Sequence, residues 1–414
     1  MIYKVSATTK EIRAKISLPS SKSISNRALI INALSYSPYP LSNLSDSDDT
    51  KVLLEALHSN NSKFDIGHAG TAMRFLTAFL SKIVGEWEIT GSERMQQRPI
   101  SILVDALRQL GAKIEYLKNE GFPPLKITGS YLTGKTIELD GSVSSQYITA
   151  LLLIAPTLEN GLILRLTGEI TSRSYIELTL ELMARFGIKY HWEGNEIHVP
   201  EQHYFPIDFT VESDWSGASY WYQILALCEK GEVFLENLEL DSLQGDAGIS
   251  DWFIPFGIVS TQQKGGILLT KTMQIKPEKL VQDFIENPDV AQTMACLCVA
   301  LNVPFHFSGL KTLKIKETNR IAALQNELGK FGAIITEPAE GELAWDGIIN
   351  PETILENPTI ETYHDHRMAL SFAPFALIGK AILINDPMVI TKSYPGFWND
   401  LKGVGFEIVE VSIG

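Results

Sequence analysis

Hydrophobic and polar residues alternate near the start of the chain and predict a short strand there. Every second position from 12 to 18 is apolar, at Ile12, Ala14, Ile16 and Leu18. This period of two is typical of a strand with one buried face. An apolar run over residues 28–34 follows and is compatible with a helix. Residues 18–27 are therefore predicted to form a turn from a strand into a helix.

A second pattern, an amphipathic helix that ends at a glycine before a short strand, recurs along the chain. A glycine just past a helix adopts the left-handed conformation that ends it, so these glycines mark helix ends. They lie 70 to 76 residues apart, at Gly111, Gly187, Gly257, Gly332 and Gly405. The same pattern predicts helices over residues 98–110, 174–186 and 317–331. A sixth copy is expected near residues 57–64, with Asn60 or Asn61 in place of the glycine.

The six copies predict an α/β protein of two lobes, each built from three strand–helix units. A chain of 414 residues is too long for one ordinary hydrophobic core, which also favours two domains. The interval between copies is longer than in usual solenoid repeats, so we expect compact lobes. The midpoint of the chain lies near residue 207, in a loop-like stretch over residues 200–214 that is rich in proline and acidic residues.

Composition narrows the classes of function. Hydrophobic residues make up 45% of the chain and charged residues 20%, which is typical of a globular protein. The net charge of −14 argues against a protein that binds nucleic acid nonspecifically, because such proteins have a basic face. It is compatible with small anionic substrates, since a local basic pocket can exist within an acidic protein.

The number of cysteines and the lengths of the apolar runs indicate in which cellular compartment the protein is expected. Cys228, Cys296 and Cys298 are too few for a disulfide framework, so we expect a cytoplasmic protein. Cys296 and Cys298 lie in an apolar run, which favours buried cysteines over a metal or redox site. No apolar signal segment is expected at the N-terminus. The uncharged apolar stretches, such as residues 150–156, are too short to span a membrane.

The turn over residues 18–27 is dense in hydroxyl groups and contains two cations. It reads Leu-Pro-Ser-Ser-Lys-Ser-Ile-Ser-Asn-Arg. Free backbone N–H groups and the positive end of the helix dipole favour an anion at a helix start. Lys22, Ser23 and Arg27 would add hydrogen-bond donors and charge. The alternative is a serine-capped helix with two solvated cations.

Similar helix starts recur in the first half, each with simple capping as the alternative. Gly70 precedes a helix predicted over residues 72–80 and lets a ligand approach the backbone closely. Arg98 precedes Pro99, which can occupy the first position of a helix and fix the arginine for bidentate binding of an oxyanion. Further hydroxyl-rich starts lie at residues 142–147 and 171–175. Because these starts recur with the phase of the repeat, we expect helix N-termini to converge on one electropositive cavity.

Candidate acids and cations lie in the second half. Asp289 precedes a long apolar run and is either a helix cap or a general base. Lys316 and Arg320 are four residues apart, which predicts one shared helix face, and Glu317 beside them is either a salt-bridged residue or an acid. The His-Asp-His motif at residues 364–366 would place two imidazoles on one face of a strand. No further cluster with zinc spacing accompanies it, so we expect no metal site.

Taken in order, these motifs resemble the 3-phosphoshikimate 1-carboxyvinyltransferase (EPSP synthase) family. Each motif alone is weak evidence, but their order and spacing match that family over nearly the whole chain. The matching segments are Ser20-Ser21-Lys22-Ser23-Ile24-Ser25-Asn26-Arg27, Ala69-Gly70-Thr71-Ala72-Met73-Arg74, Arg94 with Arg98-Pro99, Ser144-Ser145-Gln146, Lys316-Glu317-Thr318 with Arg320, Asp365-His366-Arg367-Met368, and Lys392.

The resemblance implies a fold and a reaction. The family has two lobes, each of three βαβαββ units with helices packed beneath sheets, and one lobe contains both chain ends. By this resemblance residues 20–212 form one lobe, residues 1–19 and 213–414 form the other, and the active site lies in the cleft between them. The family transfers the enolpyruvyl group of phosphoenolpyruvate to the 5-hydroxyl of shikimate 3-phosphate and releases phosphate, in the pathway to aromatic amino acids.

The resemblance also implies the partners. No metal or organic cofactor is required, and we expect the two anionic substrates as the only partners. We expect no nucleic acid and no membrane, and a monomer.

Site residues follow from the resemblance as well. Those implied for shikimate 3-phosphate are Lys22, Ser23, Arg27, Ser144, Ser145, Gln146, Ser172, Asp289, Thr312 and Lys316. Those implied for phosphoenolpyruvate are Lys22, Gly70, Arg98, Gln146, Arg320, Arg367 and Lys392. Asp289 is implied to accept a proton from the hydroxyl, Glu317 to donate one to the methylene carbon, and Lys22 to shuttle protons. Tyr175 is implied to pack on the shikimate ring.

Three positions depart from the family pattern, and two alternative functions stay open. His68 and Thr312 stand where the family often has Asn, and Phe75 stands where Pro is frequent. One alternative is the sister enzyme that transfers enolpyruvate to UDP-N-acetylglucosamine. That enzyme usually has a reactive cysteine in its first lobe, whereas all three cysteines here follow residue 227. The other alternative is a non-enzymatic clamp or scaffold built from repeats.

Overall fold

The chain divides into two compact units, and the residues of each unit contact mainly residues of the same unit. The computed structural model describes residues 1–411 except Val143, Gln274 and Lys380. The terminal unit contains Met1–Pro19 and the chain from Glu212 onward, and the internal unit contains Ser20–Val211.

Helices and strands alternate along both units. In chain order up to residue 211 they are β1 (Ile2–Ala7), β2 (Glu11–Ile16), α1 (Lys22–Leu34), β3 (Leu41–Ser42), α2 (Asp48–His58), β4 (Lys63–Asp65), α3 (Gly70–Lys82), β5 (Glu86–Thr90), α4 (Ser101–Gln109), β6 (Lys113–Tyr116), β7 (Leu125–Thr128), β8 (Thr136–Asp140), α5 (Ser145–Ile154), β9 (Leu162–Thr167), α6 (Arg173–Arg185), β10 (His191–Glu193), β11 (Glu196–Val199) and β12 (Phe209–Thr210). From residue 212 they are α7 (Trp215–Leu227), β13 (Lys230–Glu236), α8 (Ile249–Trp252), β14 (Ile258–Gln263), β15 (Gly266–Lys271), β16 (Leu280–Asp283), α9 (Ala291–Leu301), β17 (Phe305–Ser308), α10 (Arg320–Gly329), β18 (Leu343–Trp345), β19 (Thr359–Ile360), α11 (His366–Phe372), β20 (Ile382–Asn385), α12 (Phe397–Gly403) and β21 (Phe406–Val411).

The internal unit contains two copies of the expected repeat in full. The elements run β4-α3-β5-α4-β6-β7 and β8-α5-β9-α6-β10-β11, which is the βαβαββ order. Their sheets have the strand orders β4-β5-β7-β6 and β10-β11-β9-β8. In each sheet the strands on either side of the first helix pair in parallel and the remaining pairs are antiparallel. A short parallel pair, β3 with β12, belongs to the third copy.

The sheets of the terminal unit include strands from the start of the chain. Their orders are β14-β15-β13-β2, β16-β17-β18 and β19-β20-β1-β21. β2 pairs in parallel with β13, and β1 lies between β20 and β21 in antiparallel pairs. The predicted strand near residue 12 is confirmed as β2, in which Ile12 and Ile16 are buried.

Each unit has buried helices at its centre. α5 is buried from Tyr147 to Ile154 and contacts α1, α3, α4 and α6. α9 is buried from Ala291 to Val299 and contacts α7, α10 and α11. A helix that is apolar on all sides is stable only inside a core, because any exposed face would place apolar surface in water. None of the described helices has both the length and the apolar composition needed to cross a bilayer.

The repeat glycines have the predicted positive φ angles, but the helix before Gly257 is a short 3₁₀ helix, Ile254–Phe256, and not an amphipathic α-helix. Their φ angles are +105° at Gly111, +87° at Gly187, +79° at Gly257, +88° at Gly332 and +93° at Gly405. Residues with a side chain rarely adopt such angles, so glycine is required where the chain leaves each helix.

The sixth helix end and three helix starts differ from the prediction; one of these is α3, which begins at Gly70 and not at residue 72. α2 ends at Ser59, which is extended with φ −80° and ψ 143°, so neither Asn60 nor Asn61 takes the place of a glycine. α4 begins at Ser101 and not at Arg98, because Arg98 is extended and Ile100 caps the helix, so Pro99 is not at its first position. α10 begins at Arg320, three residues later than predicted, because Asn319 caps it.

Candidate active site

The start of α1 positions Lys22 beside a carboxylate. Ser21 caps the helix, and its Oγ accepts a hydrogen bond from the Ile24 N–H at 3.4 Å. The Lys22 Nζ lies 3.6 Å from Asp49 Oδ2, and the two side chains are 21% and 10% exposed. Lys22 is therefore held at a helix N-terminus but remains reachable from solvent, as the predicted anion site requires.

Arg27 is buried behind Lys22 and Ser23 in the same helix. Its guanidinium donates to Ser23 O at 2.8 Å, Thr179 Oγ1 at 2.8 Å, and Thr149 Oγ1 and Tyr175 O at 3.3 Å each. Burial lowers the pKa of Arg27 to about 10. These bonds use four of its five N–H groups, so Arg27 chiefly joins α1 to α5 and α6. The rings of Phe75 and Tyr175 lie 5.8 and 5.9 Å from its Cζ.

Gly70 and Arg98 lie in direct contact. A Cβ built on Gly70 would lie 2.6 Å from Arg98 Nη1 and 3.1 Å from its Cζ. Arg98 follows a 3₁₀ turn over Met95–Gln97, and its backbone N–H donates to Met95 O at 3.0 Å. The guanidinium of Arg98 therefore rests on the backbone at the start of α3, at a position where only glycine leaves space for it.

Arg74 binds the backbone on both sides of the contact between Gly70 and Arg98. It is buried, and its Nη1 and Nη2 donate to Gly70 O at 3.2 Å and Pro99 O at 3.0 Å. The Tyr147 hydroxyl also donates to Pro99 O, at 2.6 Å. Burial, together with the nearby charge of Arg98, lowers the pKa of Arg74 to about 10. The backbone on both sides of the Gly70–Arg98 contact is thus fixed by one buried cation.

The starts of α5 and α6 present hydroxyl and amide groups. Ser144 caps α5, and its Oγ accepts from the Gln146 N–H at 3.4 Å. Gln146 Nε2 donates to Thr71 Oγ1 at 3.4 Å, which brings the start of α5 to the start of α3. Gln146 Oε1 is buried and has no hydrogen-bond partner among the described residues. Ser145 begins α5, and Ser172 caps α6 in the left-handed conformation, with φ 54° and ψ 42°.

In the terminal unit, Asp289 is surrounded by cations. It lies on a 3₁₀ turn over Pro288–Val290 just before α9. Its Oδ1 accepts from Arg320 Nη1 at 2.8 Å and lies 3.7 Å from Lys316 Nζ, and its Oδ2 lies 3.1 Å from Arg367 Nη2. Burial alone would raise the pKa of Asp289, but Arg367, Lys316 and Arg320 outweigh it and hold that pKa well below its usual range. Asp289 is therefore an ionised carboxylate and not a helix cap.

Arg320 joins three carboxylates. It is the first residue of α10 and only 1% of it is exposed. Besides Asp289, its Nε donates to Asp365 Oδ2 at 2.6 Å, and its Nη2 donates to Glu317 Oε2 at 2.9 Å and Asp365 Oδ1 at 3.3 Å. These bonds also use four of the five N–H groups, so the observed role of Arg320 is to fix the acids of the site.

Arg367 lies at the start of α11. Asp365 caps this helix, and its Oδ1 accepts from the Arg367 N–H at 2.9 Å. Arg367 Nη1 donates to the Tyr220 hydroxyl at 3.3 Å. The 3₁₀ helix Pro387–Lys392, whose last residue is Lys392, packs against α11. Thr312 lies on a 3₁₀ helix over Lys311–Ile315, and its buried Oγ1 has no hydrogen-bond partner among the described residues.

Two predictions about this region are wrong. Lys316 and Arg320 do not share a helix face, because Lys316 follows the 3₁₀ helix with φ −74° and ψ −145° and α10 begins only at Arg320. The motif at residues 364–366 is not a strand: His364 has φ 57° and an exposed side chain, whereas His366 begins α11 and is buried. Within the described residues, no group of three or more His, Cys, Asp or Glu side chains is arranged to bind a metal ion.

Sequence reasoning missed the carboxylates that fix the cations. Asp365 was part of a matching motif but received no role, although an acidic residue directly before a helix is a recognisable capping signal. Asp49 is one of several acids at residues 46–49, and nothing in that run singles it out as the partner of Lys22. Arg74 lay in another matching motif, without a signal that it would be buried.

The two groups of residues differ in charge balance. The internal cluster is the name used here for the site residues of the internal unit, which are Lys22, Arg27, Asp49, Gly70, Arg74, Arg98 and Gln146. The terminal cluster is the corresponding group in the terminal unit, which consists of Asp289, Lys316, Glu317, Arg320, Asp365 and Arg367. The internal cluster contains four cations and one carboxylate. The terminal cluster contains three of each. An excess of cations favours binding of anions, whereas paired acids and cations keep each other ionised.

Comparison with known proteins identifies the family. The model of the family described as EPSP synthase (3-phosphoshikimate 1-carboxyvinyltransferase) matches residues 6–61 and 56–401. A 3-phosphoshikimate 1-carboxyvinyltransferase of Bacteroides fragilis is 54% identical over 411 residues, 99% of each chain. One of Aliivibrio fischeri is 37% identical over 422 aligned residues, 95% of this chain and 97% of that one. The solved EPSP synthase of Acinetobacter baumannii has the same fold, with a TM-score of 0.78 at 20% identity over 99% of this chain and all of that one. This chain belongs to the EPSP synthase family.

Proposed function

We propose that this chain transfers the enolpyruvyl group of phosphoenolpyruvate to the 5-hydroxyl of shikimate 3-phosphate, giving 5-enolpyruvylshikimate 3-phosphate and phosphate. Family membership favours this function over transfer to UDP-N-acetylglucosamine and over a scaffold. The single observation that best supports the chemistry is the ionised Asp289 among Arg320, Arg367 and Lys316. It places a fixed base beside cations that suit anionic substrates.

The site residues keep their implied roles as part of this proposal. Lys22, Ser23, Arg27, Ser144, Ser145, Gln146, Ser172, Asp289, Thr312 and Lys316 bind shikimate 3-phosphate, and Lys22, Gly70, Arg98, Gln146, Arg320, Arg367 and Lys392 bind phosphoenolpyruvate. The unbonded Gln146 Oε1 and Thr312 Oγ1 support direct contact with a ligand, since a buried polar atom is costly until it is paired. The bonds of Arg27 and Arg320 indicate that each also fixes other site residues.

The reaction needs two proton transfers that balance. In the addition step, Asp289 takes the proton of the 5-hydroxyl as its oxygen bonds to carbon 2 of phosphoenolpyruvate, and Glu317 gives a proton to carbon 3. In the elimination step, the new methyl group returns a proton to Glu317, the bond from carbon 2 to the phosphate oxygen breaks, and Asp289 gives its proton to the departing phosphate. Lys22 is a second candidate for either transfer.

Substrate binding itself adjusts the base. A carboxylate whose pKa lies well below its usual range is a weak base. Phosphate and carboxylate groups of the substrates add negative charge beside Arg367 and Lys316, and each added charge offsets part of the field that stabilises ionised Asp289. The pKa of Asp289 therefore rises when both substrates are bound, which makes it a better proton acceptor at that stage.

The activity is tested by measuring phosphate released from phosphoenolpyruvate by the purified chain. Release is expected with shikimate 3-phosphate and not with UDP-N-acetylglucosamine or without an acceptor. Release with the nucleotide sugar instead would support the sister reaction, and no release from a folded sample would contradict both. A cytoplasmic location and a monomeric state stay predictions, the latter testable by sedimentation velocity.

A further inference from the structure

Asp289 lies on a single 3₁₀ turn that leads into α9. The 3₁₀ turn Pro288–Val290 is a single turn, and its backbone is closed by bonds from Asn287 N to Phe284 O and from Val290 N to Asn287 O, both at 3.1 Å. The turn continues directly into α9, which holds its C-terminal end, but 3₁₀ hydrogen bonds have weak geometry, so the Asn287 end depends on side-chain contacts.

A buried acid outside the terminal cluster provides that contact. Asn287 is 8% exposed, and its Nδ2 donates to Asp246 Oδ1 at 3.1 Å. Asp246 is 5% exposed and lies on a 3₁₀ helix over Gly245–Gly248. Its other oxygen, Oδ2, accepts from the hydroxyl of Ser216, in the first turn of α7. A continuous chain of side-chain bonds thus runs from the core helix α7 to the turn that contains Asp289.

Burial of the Asp246 carboxyl group lowers the stability of the fold. The two donors that reach its oxygens, Ser216 and Asn287, are neutral. Burial raises the pKa of Asp246, and the negative charge of Asp289 raises it further. An apolar residue of similar size would often be more stable at such a buried position, so a buried acid calls for another reason to be there.

We propose that Asp246 is a positioning residue, which orients the Asn287–Asp289 turn and so presents the Asp289 carboxylate to the reacting hydroxyl. This inference rests on the proposed function, in which Asp289 accepts the proton. Asp246 acts through the Asn287 amide and takes no proton from substrate. Misplacement of a base by about 1 Å can lower the rate on the order of 100-fold. The gain in rate from a correctly oriented turn therefore outweighs the loss of stability caused by a buried acid.

Two substitutions at residue 246 distinguish the loss of the negative charge from the loss of the hydrogen bond to Asn287. In Asp246→Asn the side-chain oxygen can still accept from Asn287, and the new amide can donate to the Ser216 hydroxyl, which can rotate to accept. We expect kcat within about threefold of wild type. In Asp246→Ala the Asn287 amide loses its partner and the turn is released, so we expect kcat to fall by about tenfold or more. A kcat for Asp246→Ala within about threefold of wild type, or an equal loss for both variants, overturns the proposal.

A matched pair on α7 controls for stability. Ser216→Ala removes the hydroxyl bond to Asp246, and Tyr222→Phe removes a similar bond from the same helix to Ser260, where the two oxygens are 2.6 Å apart. We expect Ser216→Ala to lower kcat by clearly more than about threefold and Tyr222→Phe to leave it within about threefold of wild type. This pair decides the question even if Asp246→Ala does not fold, since equal kcat values for the two variants overturn the proposal.

Crystal structures of the variants separate this inference from the proposed function. If the wild-type chain has no activity with shikimate 3-phosphate, the proposed function falls and kcat is no longer informative. The Asp289 carboxylate is then expected to leave Arg320 and Arg367 in Asp246→Ala, or in Ser216→Ala if the former does not fold, and to stay in Asp246→Asn and Tyr222→Phe. An unmoved carboxylate in the first pair overturns the positioning role.

Discussion

Individual residues of the terminal cluster are strongly coupled, because one guanidinium binds several acids. Arg320 contacts Asp289, Glu317 and Asp365 at 2.6 to 2.9 Å. Each acid accepts at least one bond from it, so a change at one acid alters the field at the other two. The shared cation explains how two carboxylates, Asp289 and Glu317, can stand close together.

Loss of the Asp289 carboxylate should abolish most of the activity and leave the fold intact. Asp289→Ala is expected to lower kcat by at least about two orders of magnitude, which is the usual scale for loss of a general base. The control is Asp251→Ala, which removes an exposed acid from α8 of the same unit. Steady-state kinetics and a circular dichroism spectrum check both variants. Full activity in Asp289→Ala would contradict its role.

The lowered pKa of Asp289 has a consequence for stability that depends on pH. A carboxylate whose pKa is lower in the folded than in the unfolded chain stabilises the fold above the unfolded value of 3.8. That stabilisation is lost as the pH falls through the lower folded value. The advantage in unfolding free energy of wild type over Asp289→Asn should therefore shrink below about pH 4, as urea denaturation at several pH values would show. An advantage that grows on acidification would contradict the ion pairs.

A side chain at Gly70 should weaken binding of phosphoenolpyruvate. The methyl group of Gly70→Ala would lie 2.6 Å from Arg98 Nη1, so the guanidinium must move. We expect KM for phosphoenolpyruvate to rise by about tenfold, since misplacing a charged partner weakens its hydrogen bonds. Gly403→Ala is the control, because a Cβ there meets no atom within 4 Å. An unchanged KM in Gly70→Ala would show that Arg98 does not contact this substrate.

At the scale of elements, two helix caps of the terminal unit differ in what they support. Asn319 caps α10 with one bond to the Ala322 N–H at 3.2 Å. Asp365 caps α11 and also binds the buried Arg320. The first is an ordinary cap, whereas the second also balances a buried charge.

Removal of these caps should therefore have unequal costs. Asn319→Ala is expected to lower the free energy of unfolding by about 1 kcal/mol, the typical value of a cap. Asp365→Ala is expected to lower it by about 3–5 kcal/mol, because Arg320 loses a partner in a buried site. Chemical denaturation measures both values. Equal losses would contradict a structural role for the Asp365–Arg320 pair.

Elements were predictable where local chemistry determines them. The five repeat glycines all have positive φ because glycine ends a helix in the left-handed conformation with the least strain. Helix starts were less predictable, as at Arg320, because several polar residues before α10 could serve as caps and packing selects Asn319. The partners of Lys22 and Arg320 are distant in sequence, at Asp49 and Asp365, so no local pattern could reveal them.

At the scale of the whole molecule, net charge and local charge have opposite signs. The chain has a net charge of −14, whereas the internal cluster contains four cations and one carboxylate. Added salt weakens the long-range repulsion between anionic substrates and the net negative charge of the chain. It also weakens the short-range attraction between these substrates and the cations of the internal cluster. Which of the two dominates determines the response to ionic strength.

We expect local attraction to dominate. KM for phosphoenolpyruvate should rise roughly two- to fivefold between about 0.01 and 0.3 M salt, because screening weakens the attraction of the internal cluster more than the repulsion of distant acids. Steady-state kinetics in a salt series with a monovalent anion measures this. A KM that falls with salt would mean that the net negative charge controls substrate approach.

The central claim is that this chain moves an enolpyruvyl group from one anionic substrate to the other. Phosphorus-31 NMR of one reaction mixture tests it most directly, because it follows both phosphate groups at once. We predict that inorganic phosphate forms from phosphoenolpyruvate in equal amount to the shikimate 3-phosphate consumed, while the signal of the 3-phosphate group shifts and is retained. Phosphate formed without shikimate 3-phosphate, or formed from it, would contradict the account.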